Sequence, residues 1–274
     1  MNTEPARDII YSRLWAEDAE DDDAFTAQAC YCSGYDVYGE LLERATYPEY
    51  LYLLFRGERP TPQIARALEI LSIAVANPGP RDASVHAAMC AGVGGSPAAA
   101  ALMAALAAGA GVSGGAREVI QCMQLWSSCG HRPEAWQDAL HAPVANGRMQ
   151  VWPDAEHPPG FAPHGQRCAR PVRQTLSALA TCLADGHIAW LAVHRETLEQ
   201  AAGRPLAMTG VLAAALSDLG LDPAGGEMLT LLLRLPGAAA HALEQGESGF
   251  RRFPFFAIDI ANDPGQRTDQ EQSR

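Results

Sequence analysis

The sequence predicts an all-α protein, and three observations carry that prediction. Apolar residues recur at helical spacing through most of its 274 residues. Helix-starting and helix-stopping residues bracket those stretches at the positions where they act best. Runs that alternate apolar and polar residues, the mark of a half-buried strand, are nearly absent; Phe253 to Ile260 is the single candidate.

Taken in order, the first two dozen residues are acidic and weakly patterned and read as an arm or edge. Ser33-Gly34-Tyr35-Asp36 makes a turn, and Val37 to Arg44 follows as a helix with Val37, Leu41 and Leu42 on one face. Thr46 caps a helix over Pro48 to Phe55, since Thr46-Tyr47-Pro48-Glu49 puts proline and glutamate in the first turn. Arg56-Gly57 ends it. Thr61-Pro62 opens the next, with Ile64, Leu68 and Leu71 on its apolar side, and Asn77-Pro78 closes it. Ser84 to Val112 gives two helices broken at Gly94-Gly95-Ser96-Pro97, and Ala116 to Ser127 gives another. Ala142 to Ala169, rich in Pro, Gly, Trp and His, reads as loop or short helices and as the seam between lobes. Helices are then expected over Thr175 to Ala184, Ile188 to Ala201, Met208 to Leu219 and Pro223 to Leu235. Pro236-Gly237 is expected to break the chain before a last helix, Ala238 to Gln245.

Composition narrows the functional classes. A net charge of −12 and a pI near 5.0 argue against nucleic acid as a partner, because phosphate binding asks for a basic face. Much of the excess sits in Glu17 to Asp23, which reads as a solvated surface run. The seven cysteines are odd in number and irregularly spaced, and the N-terminus shows no apolar signal-peptide core, so reduced thiols and a cytoplasmic location are expected. Cys129-Gly130-His131 supplies half of a metal site, nothing supplies the other half, and no metal is expected. Pro97 to Val112 is apolar but too short, and too rich in Ala and Gly, for a membrane span.

The stretch from Asn77 to Val119 is nearly uncharged and crowded with Ala and Gly, which lets backbones approach closely. It ends on the turn Ser113-Gly114-Gly115-Ala116, where the absence of Cβ lets amide groups face a ligand.

A collinear series of motifs resembles the citrate synthase superfamily, citryl-CoA lyases included. It comprises Ser33-Gly34-Tyr35-Asp36, Ala45-Thr46-Tyr47-Pro48-Glu49, Tyr52-Leu53-Leu54, Gly57-Glu58-Arg59-Pro60-Thr61 and Gly114-Gly115-Ala116. Arg204-Pro205-Leu206, Leu219-Gly220, Arg234-Leu235-Pro236-Gly237 and His241-Ala242-Leu243-Glu244-Gln245 continue it. The resemblance implies a citrate synthase-like two-domain helical fold. Residues 1–165 and 235–274 would form the large domain and 166–234 a small mobile one, in a homodimer. It implies a coenzyme A thioester as substrate, an oxo-acid or other di- or tricarboxylic acid as second partner, and carbon–carbon bond cleavage or condensation between them. No permanently bound cofactor is implied.

The family's proton-moving residues do not carry over. Its HGGA histidine falls on Ser113, its GH histidine near Pro163, its catalytic aspartate on Thr209, and the histidine of its DHE motif near Pro78. A hydroxyl is no unaided base near neutral pH. The candidate catalytic residues are therefore Ser113 as a hydrogen-bond donor, His164 beside the lost GH position, His86 oriented by Asp82 four residues earlier, and Thr209. For Thr209 a helix N-cap is the plainer role. Carboxylate binding falls to Arg234, to Arg251 and Arg252, and to Arg173. Gly114 and Gly115 would face coenzyme A. Pairing of Arg234 with Glu227 or Glu244 is the structural alternative. A catalytically inactive subunit that binds coenzyme A or carboxylates is the second functional class.

Overall fold

A computed structural model describes residues 11–141 and 157–253. The expected strand from Phe253 to Ile260 falls almost wholly outside the described residues. Helix dominates, as composition and periodicity require, with eleven α-helices among the described residues.

The amino-terminal arm is a correction. Ala16–Ala19 (β1), Ala27–Cys32 (β2) and Tyr35–Asp36 (β3) form a three-stranded antiparallel sheet. The acidic run lies on β1 and the turn after it, where Asp23 accepts hydrogen bonds from the Phe25 amide at 2.9 Å and the Thr26 hydroxyl at 2.7 Å. Every residue of β1 is exposed, so this strand lacks the one-sided apolar alternation by which strands are read from sequence. Ser33 and Gly34 turn β2 into β3 with positive φ angles of 49° and 86°.

After this sheet, a π-helical turn, Val37–Leu41, leads into Leu42–Arg44 (α1). Tyr47–Arg56 (α2) opens with the reciprocal cap expected of Thr46 and Glu49, and Gly57 ends it in the left-handed conformation at φ 72°. Pro62–Ala76 (α3) is capped by Thr61, whose hydroxyl accepts from the Ile64 amide at 3.3 Å. Ala83–Val93 (α4) and Ala98–Gly109 (α5) are the small-residue pair, followed by Ala116–Cys129 (α6). Pro133–His141 (α7) is a helix that periodicity did not announce, because Trp136 is its one buried residue. Arg170–Ala180 (α8) begins five residues before the expected start, with Pro171 in its first turn. His187–Ala202 (α9) and Met208–Asp218 (α10) follow.

Pro223–Ser248 (α11) is one continuous helix through Pro236, not two. The proline removes a single amide, and packing on both sides holds the helix together: Gly237 rests on the backbone of Ala76 and Asn77. The main core is built from α2, α3 and α6 to α11, with the Tyr52 hydroxyl reaching the Leu219 carbonyl at 3.2 Å. A second, alanine-rich core lies between α4, α5 and α11. Gly92 of α4 lies against the backbone of Ala242 on α11, so a methyl group there would run into the Ala242 carbonyl. Neither helix backbone has room to retreat. Gly92→Ala is expected to cost roughly 1–3 kcal/mol of stability, measured by urea unfolding.

A cluster of aromatic rings joins α6, α7 and α9. Trp126 and Trp136 meet edge to face at 4.6 Å, and Trp190 stacks on His194 at 4.1 Å. His131 and His187 share a hydrogen bond of 3.0 Å within it. The Asp218 carboxylate accepts from the His187 and Ile188 amides at the start of α9. Burial holds the His187 imidazole below its ordinary value of 6.5; the His131 ring adds to this, against the opposing pull of Asp218. The native state therefore keeps this ring neutral at a pH where the unfolded chain binds a proton. The resulting stabilisation is present above about pH 6.5 and is lost as pH falls through the depressed native value. Thermal melts between pH 7.5 and 5.0 are expected to show a falling midpoint that flattens in His187→Phe.

Candidate functional site

The glycine turn before α6 is anchored by a residue on α6 itself. Glu118 is 1% exposed. Its carboxylate accepts hydrogen bonds from the Gly114 amide at 2.5 Å, the Gly160 amide at 2.9 Å and the Thr209 hydroxyl at 2.7 Å. Three stretches singled out in the sequence thus converge on one side chain. They are the turn at 111–115, the loop around Gly160 and the start of α10. Glycine is needed at each, at Gly114 for its backbone conformation alone and at Gly160 and Gly210 because their backbones also meet closely. Gly114 has φ 73°, Gly160 has φ 88°, and a Cβ on Gly210 would strike the Gly160 carbonyl. The Gly160 loop is further clamped by the Ala207 amide donating to the Gly160 carbonyl at 2.9 Å, and by the Ala162 amide donating to the Pro205 carbonyl at 2.8 Å. One turn along α6, burial pushes the Cys122 thiol well above its ordinary range, and the Glu118 charge adds to the effect, so this sulfur stays a thiol.

Several expectations need correction here. Thr209 is no N-cap; Ala207 holds that position, and the Thr209 hydroxyl, 3% exposed, donates to Glu118. The Gly114 amide does not face outward to a ligand, because Glu118 takes it. Asp82 does not orient His86. It caps α4 through the Ser84 amide at 2.9 Å, bonds the Ser84 hydroxyl, and lies 3.7 Å from Arg234. His86 is exposed, with its ring 6.2 Å from that of Phe253. Arg234 pairs with neither Glu227 nor Glu244, which sit instead against Arg117 at 3.9 Å and His241 at 3.2 Å. Ser113 is exposed in its turn and His164 is exposed in the loop after Gly160. Arg251 and Arg252 are exposed on a single 3₁₀ turn, Phe250–Arg252, that follows α11.

A cavity of about 790 Å³ opens between the loop at 165–168, α8, α9 and the segment at 203–205. Four arginines line it, Arg167, Arg173, Arg195 and Arg204, against two glutamates, Glu196 and Glu199. Glu196 and Glu199 are both spent on Arg195, at 2.7 and 2.6 Å. Arg204 donates to the Pro163 carbonyl at 2.8 Å, which ties the cavity wall to the Glu118-anchored loop. Arg167 and Arg173 form no ion pair among the described residues. The cavity is thus a basin of unneutralised guanidinium charge, suited to phosphate or carboxylate. Of the residues singled out in the sequence, it includes Arg173, and His164 stands next to its rim residue Gly165. Arg167, Arg195 and Arg204 were not anticipated as a group, since nothing in their spacing shows that α9 folds back onto the 165–168 loop. Among the described residues no group of three or more His, Cys, Asp or Glu side chains could hold a metal ion, and no helix is long and apolar enough to cross a membrane. All seven cysteines are free.

Solved structures share this architecture. Citryl-CoA lyase from Hydrogenobacter thermophilus matches with a TM-score of 0.72 at 18% identity, over 97% of this chain and 100% of that one. ATP citrate lyase from Methanothrix soehngenii, in complex with citrate and coenzyme A, matches with a TM-score of 0.67 at 15% identity, over 97% of this chain and 44% of that one. An ATP citrate lyase variant from Methanosaeta concilii, in complex with (3S)-citryl-CoA, matches with a TM-score of 0.67 at 15% identity, over 95% of this chain and 43% of that one. The chain spans less than half the length of these two ATP citrate lyases. No protein-family model and no curated protein matches the sequence. At these identities the likeness establishes the fold, the citrate synthase-like helical fold of citryl-CoA lyase.

The Glu118 knot has a direct consequence for stability. Glu118→Ala leaves the buried Gly160 amide and Thr209 hydroxyl without their partner, each worth about 1–3 kcal/mol, and releases the part-buried Gly114 amide. A loss of roughly 3 kcal/mol or more is expected in urea unfolding, and a smaller loss in Glu118→Gln, which keeps an acceptor oxygen.

Proposed function

We propose that this protein binds coenzyme A thioesters and catalyses citryl-CoA lyase-type chemistry, cleaving or forming a carbon–carbon bond between an acyl-CoA and an oxo-acid. The observation that carries this reading is the arginine-lined cavity beside the Glu118-anchored loops, in a chain whose fold matches a citryl-CoA lyase along its whole length. Coenzyme A is polyanionic, and Arg167, Arg173 and Arg204 offer planar donors for its phosphates. The thioester end would then lie toward the Gly160 loop, which carries the exposed His164 and is joined through Glu118 to the turn that carries the exposed Ser113. Arg251 and Arg252 are assigned to the carboxylates of the second substrate. The protein acts as a homodimer in the cytoplasm, with residues 1–165 and 235–274 as the large lobe and 166–234 as the small one. The small-residue helices α4 and α5, with Met103 exposed on α5, support pairing of two copies.

One observation favours a second reading, a coenzyme A- or carboxylate-binding subunit without turnover. The position aligned with the family's base holds Thr209, and the carboxylate nearest to it, Glu118, already accepts three hydrogen bonds. Purified protein incubated with acyl-CoAs and oxo-acids, and with citryl-CoA in the reverse direction, separates the two by mass spectrometry of products. Turnover supports the lyase, whereas coenzyme A binding without turnover supports the subunit. Arg167→Ala with Arg204→Ala is expected to weaken coenzyme A binding at least tenfold, about 1.4 kcal/mol, in calorimetry. Absence of binding to coenzyme A and to carboxylates alike sinks both readings.

A further inference from the structure

Along the sequence, His131 has no second metal ligand within reach; the fold brings one from 56 positions away. His131 Nε2 and His187 Nδ1 face each other at 3.0 Å, with one proton between them as a hydrogen bond. The far nitrogens, His131 Nδ1 and His187 Nε2, form no hydrogen bond among the described residues. Each ring can therefore carry its proton on the far side and turn a lone pair inward, at the cost of the mutual bond alone. His194, the third histidine of the cluster, differs, because its Nδ1 is taken by the Trp190 carbonyl at 2.9 Å. Two nitrogens bound to one ion at about 2.0–2.1 Å stand roughly 3.0–3.3 Å apart, so the pair already has the spacing of two ligands.

The surrounding framework fixes both rings. His187 is the first residue of α9, and its amide donates to the Asp218 carboxylate at 2.6 Å. His131 sits in the turn between α6 and α7, where Trp136 Nε1 donates to the Gly130 carbonyl at 2.9 Å and Arg132 Nη2 to the Ser128 carbonyl at 2.7 Å. Trp126 lies 4.6 Å from the His187 ring and Trp190 5.7 Å from the His131 ring, centroid to centroid. Asp218 brings a negative charge to the start of α9, and Arg132, next to His131, is the opposing one. His131 is exposed and His187 half-buried, so solvent reaches the pair. Cys129 is buried with its thiol on the Ala135 carbonyl at 3.4 Å, which leaves the two imidazoles as the ligands.

We propose that His131 and His187 form a two-histidine site for one divalent transition-metal ion of the imidazole-preferring class, copper or zinc, with solvent completing its coordination. The ion takes the place of the mutual hydrogen bond as the link between the turn after α6 and the start of α9. Because it binds ligands that only the folded chain brings together, it stabilises the fold as its concentration rises. None of these residues lines the arginine cavity, and the site stands whether or not the chain binds coenzyme A.

The test is titration of the metal-stripped full chain with copper(II) chloride, read by tryptophan fluorescence, since Trp126 and Trp190 pack on the two ligands. Quenching is expected to saturate at one ion per chain, with an electron paramagnetic resonance spectrum showing nitrogen ligation. His131→Gln and His187→Gln are each expected to weaken the binding roughly tenfold or more. His194→Gln is expected to keep wild-type affinity. In zinc(II) chloride the wild type is expected to melt at a higher temperature, a gain that His131→Gln lacks. Circular dichroism confirms that each variant is folded; His131→Gln changes an exposed residue, and His131→Asn replaces it if it does not fold. Wild-type copper affinity in the folded His131 variant overturns the proposal, as does quenching that fails to saturate or a zinc-induced rise in melting temperature that survives the substitution.

Discussion

The carboxylate of Glu118 is the constraint on which the candidate site depends. A buried carboxylate is costly unless its oxygens are met, and here two amides and a hydroxyl meet them. Because the donors come from the turn before α6, the loop after residue 157 and the start of α10, one side chain sets the distance between three otherwise separate backbone segments. The glycines follow from that distance. Gly115 lies on the backbone of Gly109 and Gly111, and Gly160 and Gly210 lie on each other. The knot is rigid because hydrogen bonds hold it and because no Cβ separates its strands.

Arginine serves two different purposes on either side of this knot. In the cavity, Arg167, Arg173 and Arg204 present charge to an open volume, and the acids nearby are taken by Arg195. Between α4 and α11, Arg234 is enclosed by small apolar side chains with one carboxylate at a distance. The first arrangement borders a volume of about 790 Å³, whereas the second leaves room for about one water. A fold shared with citryl-CoA lyase accommodates both, while the Thr209 hydroxyl is engaged by Glu118 and Ser113 is exposed.

Much of the architecture was legible in residues that act locally. Thr46 with Glu49, Thr61 with Pro62, and the break at Gly94 to Pro97 define helix ends by satisfying or freeing amides within a few residues, and each is found where expected. The misses share a different cause. The strand Ala16–Ala19 is solvated on both faces and leaves no apolar period, α7 buries one tryptophan, and α11 runs through Pro236 where Gly237 packs on Ala76 and Asn77.

Sequence alone determined the helical class, the ends of several helices and the turns that need glycine, because capping, periodicity and positive φ are decided by neighbours along the chain. Tertiary structure alone decided that Thr209 reaches Glu118 across 91 positions, that Arg234 faces Asp82, and that four arginines share one cavity. Those are contacts between distant segments, and the energy of a buried charge depends on which groups surround it in space.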